Sequence, residues 1–321
     1  MRVELAGGAF TEDRFELIVT LIRLFAESRH EWVVTPDQFE IVRAYFQEHA
    51  PTRAQAYALM AQKGAVSQAW SAGPATLRPV VSVTYDSMPD HVEDLTRPAR
   101  LVVENQEGDG AFVLALAHVF EAGQVIRAHG NRWLEFVQGG GSGEVPKVVA
   151  SEAATFRRVK RVAFLFDSDR MVPGEASKHE KAVAALGELG VPGHVLRFRE
   201  AENYVPNRVL AAIAGPRREL AARIDALKKL DPHQRGHFDF KHGFWDRKKA
   251  CPAVPDAQKD LYAPLPDHVM AALRNGFGEN LTVILEREAR AGKLKEADFE
   301  ALGPEVVAEL KGLLALLQEI I

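Results

Sequence analysis

The stretch Val162-Ala163-Phe164-Leu165-Phe166-Asp167-Ser168-Asp169 decides how this chain is read. A short apolar run that stops at two acids has the pattern of a strand buried on both faces, with its carboxyl end opening onto a polar site. The pattern repeats on either side. Leu101-Val102-Val103 is read as a strand ending at Glu104, Trp133 to Val137 as the next, and His194 to Phe198 as one following the quoted run. Helices are expected over 109–121, 145–156 and 175–190. Strand alternating with helix implies right-handed crossovers and a parallel sheet covered on both faces. The expected fold class is therefore α/β, with a parallel sheet and flanking helices over residues 98–215.

The flanks read differently. Residues 1–97 look mainly helical: Phe15, Ile18, Val19, Ile22 and Phe25 follow the spacing of one buried helical face. Thr35-Pro36 with Gln38, and Thr52 with Gln55, have the form of capping boxes, predicting helices over 36–48 and 53–69. The β-branched run from Pro79 to Tyr85 predicts a strand. No chemistry is evident in this region, which reads as a packing or oligomerisation unit, so a homo-oligomer is left open. Past residue 207 the chain returns to helices, with segments expected at Val209 to Ala214, Glu219 to Leu230, 266–275 and 304–320, and residues 216–321 read as a basic, mainly helical C-terminal region. A Pro- and aromatic-rich stretch lies between, at 231–266.

With 321 residues, 47% hydrophobic and 26% charged, the chain has the composition of a soluble globular protein of two or three domains. It has no apolar run of roughly 20 residues and no basic-then-apolar start, so a cytoplasmic protein without a membrane partner is expected. Its single cysteine, Cys251, excludes an internal disulfide and any multi-cysteine metal site. The net charge of -4 does not announce a polyanion partner, but charge is unevenly placed: Arg217 to Lys249 holds ten Lys/Arg against five Asp/Glu. Arg157, Arg158, Lys160 and Arg161 form a second basic cluster. Basic runs are commonly solvated faces, and they point to nucleic acid only beside a site that handles phosphodiesters.

The acids suggest such a site. Glu104, Asp167 with Asp169, and Glu200 with Glu202 follow different strands, and ligands of parallel sheets bind beyond the carboxyl strand ends. Hard cations take oxygen ligands, so two or three carboxylates plus a substrate phosphate suffice for Mg²⁺, with Mn²⁺ the alternative ion. In an extended segment residues i and i+2 face the same side, so Asp167 and Asp169 are expected to point together. Gly139-Gly140-Gly141-Ser142-Gly143 lies between a strand and a helix. Amides of Gly140, Gly141, Ser142 and Gly143 could meet a phosphate there, or the run could be a plain flexible connection.

Leu101-Val102-Val103-Glu104 and Phe164-Leu165-Phe166-Asp167-Ser168-Asp169, in this order, resemble the Toprim fold of topoisomerases, bacterial primases and nucleases related to the overcoming-lysogenisation-defect family. The resemblance covers about a third of the chain. It implies Mg²⁺ ligation and phosphodiester chemistry at Glu104, Asp167 and Asp169. Arg199-Glu200-Ala201-Glu202-Asn203-Tyr204 resembles the Glu-Asn-Tyr segment of Toprim nucleases in antiviral defence systems, which implies Glu202 as a further acid and Glu200 as second choice. Asn105 stands where the family has glycine, and Asp109 lies one position later than the family's next acid, leaving ligation and helix capping both open for it. In His237-Phe238-Asp239-Phe240-Lys241-His242-Gly243-Phe244, Lys241 is similar to the downstream lysine of these nucleases, which implies a catalytic role.

The expected function is thus a Mg²⁺-dependent nuclease acting on DNA or RNA, an antiphage effector in the reading that the resemblance favours. No ATPase motif is visible, so nucleotide-driven control would come from a separate ATPase or sensor partner. Two alternatives stand beside it. The Asp-x-Asp after an apolar strand also matches haloacid-dehalogenase phosphatases, with Asp167 as nucleophile, and the fold could serve a non-catalytic binding or regulatory subunit.

Overall fold

A computed structural model of the protein describes residues 1–71, 79–141, 143–246 and 251–321. Two parallel sheets organise these residues. In the first, β1 (Arg2–Leu5) lies between β2 (Glu31–Val33) and β3 (Val80–Val83). Helices Phe15–Ala26, Pro36–His49, Ala54–Ser71 and Met88–Thr96 accompany it, and its core gathers Val3, Leu5, Ile18, Leu21, Phe46 and Leu95. The helices at 36–48 and 53–69 and the strand near 80 appear where the sequence puts them. The partners β1 and β2 were not expected. At four and three residues they are too short to show a period, and their pairing is made with distant segments.

The second sheet holds β4 (Ala99–Val103), β5 (Leu134–Gln138), β6 (Val162–Phe166) and β7 (Gly193–Val195), all parallel, in the order β5-β4-β6-β7. The first strand in chain order is thus central, and the register sets Val102 beside Phe164 and Phe166 beside Val195. Side chains alternate across the sheet. Leu101, Val103, Ala163 and Leu165 join one core with Phe112 and Leu116 of helix Gln106–Val119. Val102, Val162, Phe164 and Phe166 join the other, with Val145 and Val149 of helix Val145–Ala154 and Leu186 of helix Glu180–Glu188. Apolar residues are needed on both faces of β4 and β6, which explains their unbroken hydrophobic runs.

Two segments depart from expectation. The helix expected over 175–190 begins only at Glu180: Gly174 takes φ +76, and Ser177 Oγ accepts the His179 amide at 3.2 Å, a local bond that competes with helix initiation. Lys178 and His179 therefore stay in the loop above the sheet edge. The fourth strand stops at Val195 instead of reaching Phe198, because side chains take over its ladder: Arg197 N donates to Glu309 Oε1 at 2.8 Å and Phe198 N to Tyr204 Oη at 3.0 Å.

The C-terminal region closes over this sheet. An unexpected helix, Leu281–Arg290, packs along Gln106–Val119, and Val306–Ile320 also contacts that helix. The basic cluster at 157–161 does not form a free cationic face. Arg157 and Arg158 pair with Asp90, Arg157 also with Glu93, and the Asp94 carboxylate accepts the amides of Arg157, Arg158 and Val159. Arg161 is fully buried and donates to the carbonyls of Leu95, Ile320 and Ile321. These cations join elements to one another. Among the described residues no helix is long and apolar enough to cross a membrane.

Candidate metal centre

The carboxyl ends of β4, β6 and β7 lie side by side, so the residues following them share one edge. Glu104 leaves β4 into a turn that Asn105 builds: its side-chain oxygen accepts the amides of Glu107 and Gly108 and so caps helix Gln106–Val119. Gln138, at the end of β5, braces this turn. Its Oε1 accepts Gln106 N at 2.7 Å and its Nε2 donates to the Glu104 carbonyl.

Asp167 and Asp169 do not point together. Asp169 takes a left-handed φ of 51°, so the Asp-x-Asp segment is not extended and the same-side expectation fails. The Asp169 carboxylate pairs with the Lys178 amine and groups with Glu104 and His179, whose candidate ligand atoms all lie within 4.8 Å of one another. Asp167 turns the other way. Its Oδ1 accepts Ala201 N at 3.0 Å, and its charged neighbours are Asp109, Glu202, Glu200 and Lys241. The acids thus form two adjoining groups, and Glu104 feels Asp169 from one and Asp109 and Lys241 from the other.

Lys241 is the shared cation of the second group. Its Nζ lies 3.1 Å from Glu202 Oε1 and 3.2 Å from Glu200 Oε2. Burial alone would depress its pKa, but Glu200 and Glu202 outweigh that and hold it above the ordinary lysine value. The loop carrying it is fixed by Phe238, Phe240 and Phe244, all buried, and by Phe277 N donating to the Phe240 carbonyl at 2.7 Å. Gly276 admits that loop: a Cβ there would meet the Lys241 carbonyl oxygen at 2.4 Å. Arg199 bridges the loop to the sheet edge, contacting Asp239 and Glu200 through its guanidinium while its carbonyl accepts Asp169 N.

Crowded carboxylates short of countercharge resist ionisation. Burial, with Asp109, Glu202 and Glu200 adding to it, pushes the Asp167 pKa well up. Burial and Glu202 raise Asp109 to about 6, against the Asn105 amide that donates to its Oδ2 at 2.9 Å. Glu104 is raised by burial and Asp169, and Glu200 by burial despite Lys241 and Arg199. Asp109 therefore faces the acids while its Oδ2 also accepts the amide of the N-cap residue Asn105, so it shares in capping its helix. Both Glu104 Oε1 and His179 Nε2 are buried without a hydrogen-bond partner. Unsatisfied buried polar atoms beside like charges are what a bound cation would relieve, and the donor set, mostly carboxylate oxygen, suits a divalent ion.

The glycine-rich loop follows β5 at the same end of the sheet. Gly139 N donates to the Val103 carbonyl at 2.8 Å, and Gly140 has φ +75. Gly141 and Gly143 flank Ser142, which lies outside the described residues. Of the basic segment, Arg223 donates to the Gly276 carbonyl, Lys228 pairs with Asp225, and Arg235 is buried with Nη2 on the Val205 carbonyl. Arg247, Lys248 and Lys249 lie outside the described residues. Two residues at the centre, Lys178 and His179, were not in the expected set. Their sequence signal was masked by an expected helix, although they lie between the third and fourth strands of the sheet, where chain crossing this edge must pass. Compared with protein-family models, curated proteins and solved structures, the chain matches none.

Proposed function

We propose that the protein is a divalent-metal-dependent nuclease with a Toprim-like carboxylate centre, acting on nucleic-acid phosphodiesters. One observation carries this reading: acids from the ends of three neighbouring parallel strands, with Asp109 from the following helix, gather beside one half-buried lysine. A bound Mg²⁺ or Mn²⁺ would supply Lewis acidity and a water of lowered pKa. Glu104 and Asp169 would hold it, with Asp167, Glu202 and Glu200 adjoining. Asp109, with a pKa of about 6, can exchange a proton near neutral pH. Lys241, held cationic by Glu200 and Glu202, is a fixed donor for charge developing on phosphoryl oxygens.

The test is incubation of the purified chain with supercoiled DNA and with tRNA, in Mg²⁺, Mn²⁺ or EDTA. Cleavage that needs the metal and is lost in Asp167→Asn is expected. Trapping of an aspartyl-phosphate from a phosphomonoester in a single turnover would move the assignment to the haloacid-dehalogenase class. Binding of nucleic acid with no cleavage under any metal would make it a binding subunit. The defence role and a separate ATPase or sensor partner follow from the resemblance, and phage plating on cells carrying wild type and Asp167→Asn tests the former.

A further inference from the structure

We propose that His179 is a nitrogen ligand of a metal position formed with Glu104 and Asp169, and that this position takes a first-row transition ion such as Mn²⁺ or Co²⁺ in preference to Mg²⁺. The inference rests on the reading of the acid cluster as a metal centre and adds the identity of the ion.

The geometry is that of a ligand waiting for a partner. His179 is only 3% exposed, and its Nε2 has no hydrogen-bond partner. That nitrogen lies 3.8 Å from Glu104 Oε1, which is also buried and unpartnered. Stacking on Phe166, at 4.4 Å between centroids and 8° between planes, fixes the plane in which the ring presents its edge. Phe166 is the last residue of β6, so the ring is indexed to the strand that leads into Asp169. Donor atoms about 2.1 Å from one ion are at most roughly 4.2 Å apart, so the 4.8 Å spread of the three groups closes by a small side-chain adjustment.

Ligand chemistry decides which ion. Mg²⁺ favours an all-oxygen, largely hydrated shell, whereas an imidazole nitrogen favours later divalent ions. Lys178 stands in for the ion in the structure, pairing with Asp169 while its half-exposed side chain remains able to turn to solvent. An entering ion displaces a surface ion pair, so Lys178→Ala should tighten binding by roughly 2–5-fold.

Calorimetric titration of the full chain with MnCl₂ and with MgCl₂, for wild type, His179→Gln and His179→Asp, tests the proposal. Wild type should bind Mn²⁺ at least about tenfold more tightly than Mg²⁺. His179→Gln should lose about tenfold or more in Mn²⁺ affinity with little change for Mg²⁺, and His179→Asp should shift preference toward Mg²⁺. Electron spin echo spectroscopy of Mn²⁺-loaded wild type should show a ¹⁴N coupling, a readout that needs no variant to fold. No nitrogen coupling, or an unchanged ratio of ion affinities in His179→Gln, overturns the proposal. Nuclease assays on the same samples separate the two readings: metal-dependent cleavage without any role of His179 in ion choice sinks this inference alone, and His179-dependent Mn²⁺ binding without cleavage sinks the nuclease reading alone.

Discussion

Lys241 Nζ lies 3.1 Å from Glu202 Oε1, and this contact ties a loop of the C-terminal region to the edge of the second sheet. Because Glu200 and Asp167 also face the same amine, one lysine offsets several buried carboxylates. The relationship bears on both stability and turnover.

Removing that amine should therefore have two effects. Lys241→Ala is expected to lower folding stability by about 1.5–3 kcal/mol, the range for a hydrogen bond involving charged groups. It should also reduce cleavage by about 10²–10³, the loss seen when a fixed donor to developing charge is removed. Arginine should rescue poorly, since its planar head does not occupy the same point between Glu200 and Glu202. Denaturant melts and single-turnover cleavage measure the two effects separately, and near-normal turnover in Lys241→Ala would leave catalysis to the carboxylates and metal.

The two aspartates of the Asp-x-Asp segment should behave differently. Asp167→Asn keeps an oxygen able to accept Ala201 N and removes a carboxyl whose ionisation burial and the neighbouring Asp109, Glu202 and Glu200 oppose. It should thus stabilise the metal-free protein while abolishing cleavage. Asp169→Asn and Glu104→Gln should chiefly weaken ion binding, because these carboxylates share the position with His179. Thermal melts in EDTA beside metal titrations check this, and equal metal affinity in all three variants would refute the division into two groups.

The raised carboxyls imply a pH dependence of definite sign. Asp109 titrates near 6 in the fold against an ordinary value of 3.8, so the folded state holds a proton that the unfolded chain has released. Its stabilising contribution is present below about pH 4 and is lost as pH rises through about 6, on the order of 2–3 kcal/mol. Relative to Asp109→Asn, metal-free wild type should lose stability over that window, and saturating Mn²⁺ should recover much of it above pH 6. Parallel pH profiles for wild type and variant would contradict the assignment.

Arg161 tests the architecture apart from the centre. Its guanidinium serves the carbonyls of Leu95, Ile320 and Ile321 inside the protein, so Arg161→Leu leaves buried acceptors unmatched. A loss on the order of 3–5 kcal/mol is expected in denaturant melts. A loss under about 1 kcal/mol would mean that those carbonyls find other partners.

The sequence by itself determined the second sheet and its acids. Strands β4 and β6 are buried on both faces, which demands continuous apolar runs, and a run ending at Glu104 or Asp167 is visible without any knowledge of neighbours. It could not determine how those acids divide. The left-handed turn at Asp169 depends on its amide reaching the Arg199 carbonyl, a contact from another strand end. Nor could it show His179 and Lys178 at the centre, because Gly174 and the Ser177 hydroxyl end a helical pattern that periodicity alone would extend. Of the first sheet only β3 was legible, for a related reason: β1 and β2 are too short to carry a period, and only long-range pairing makes them strands. Tertiary structure decided the partners, because a charge, a short strand or a buried ring takes its role from what the fold brings against it.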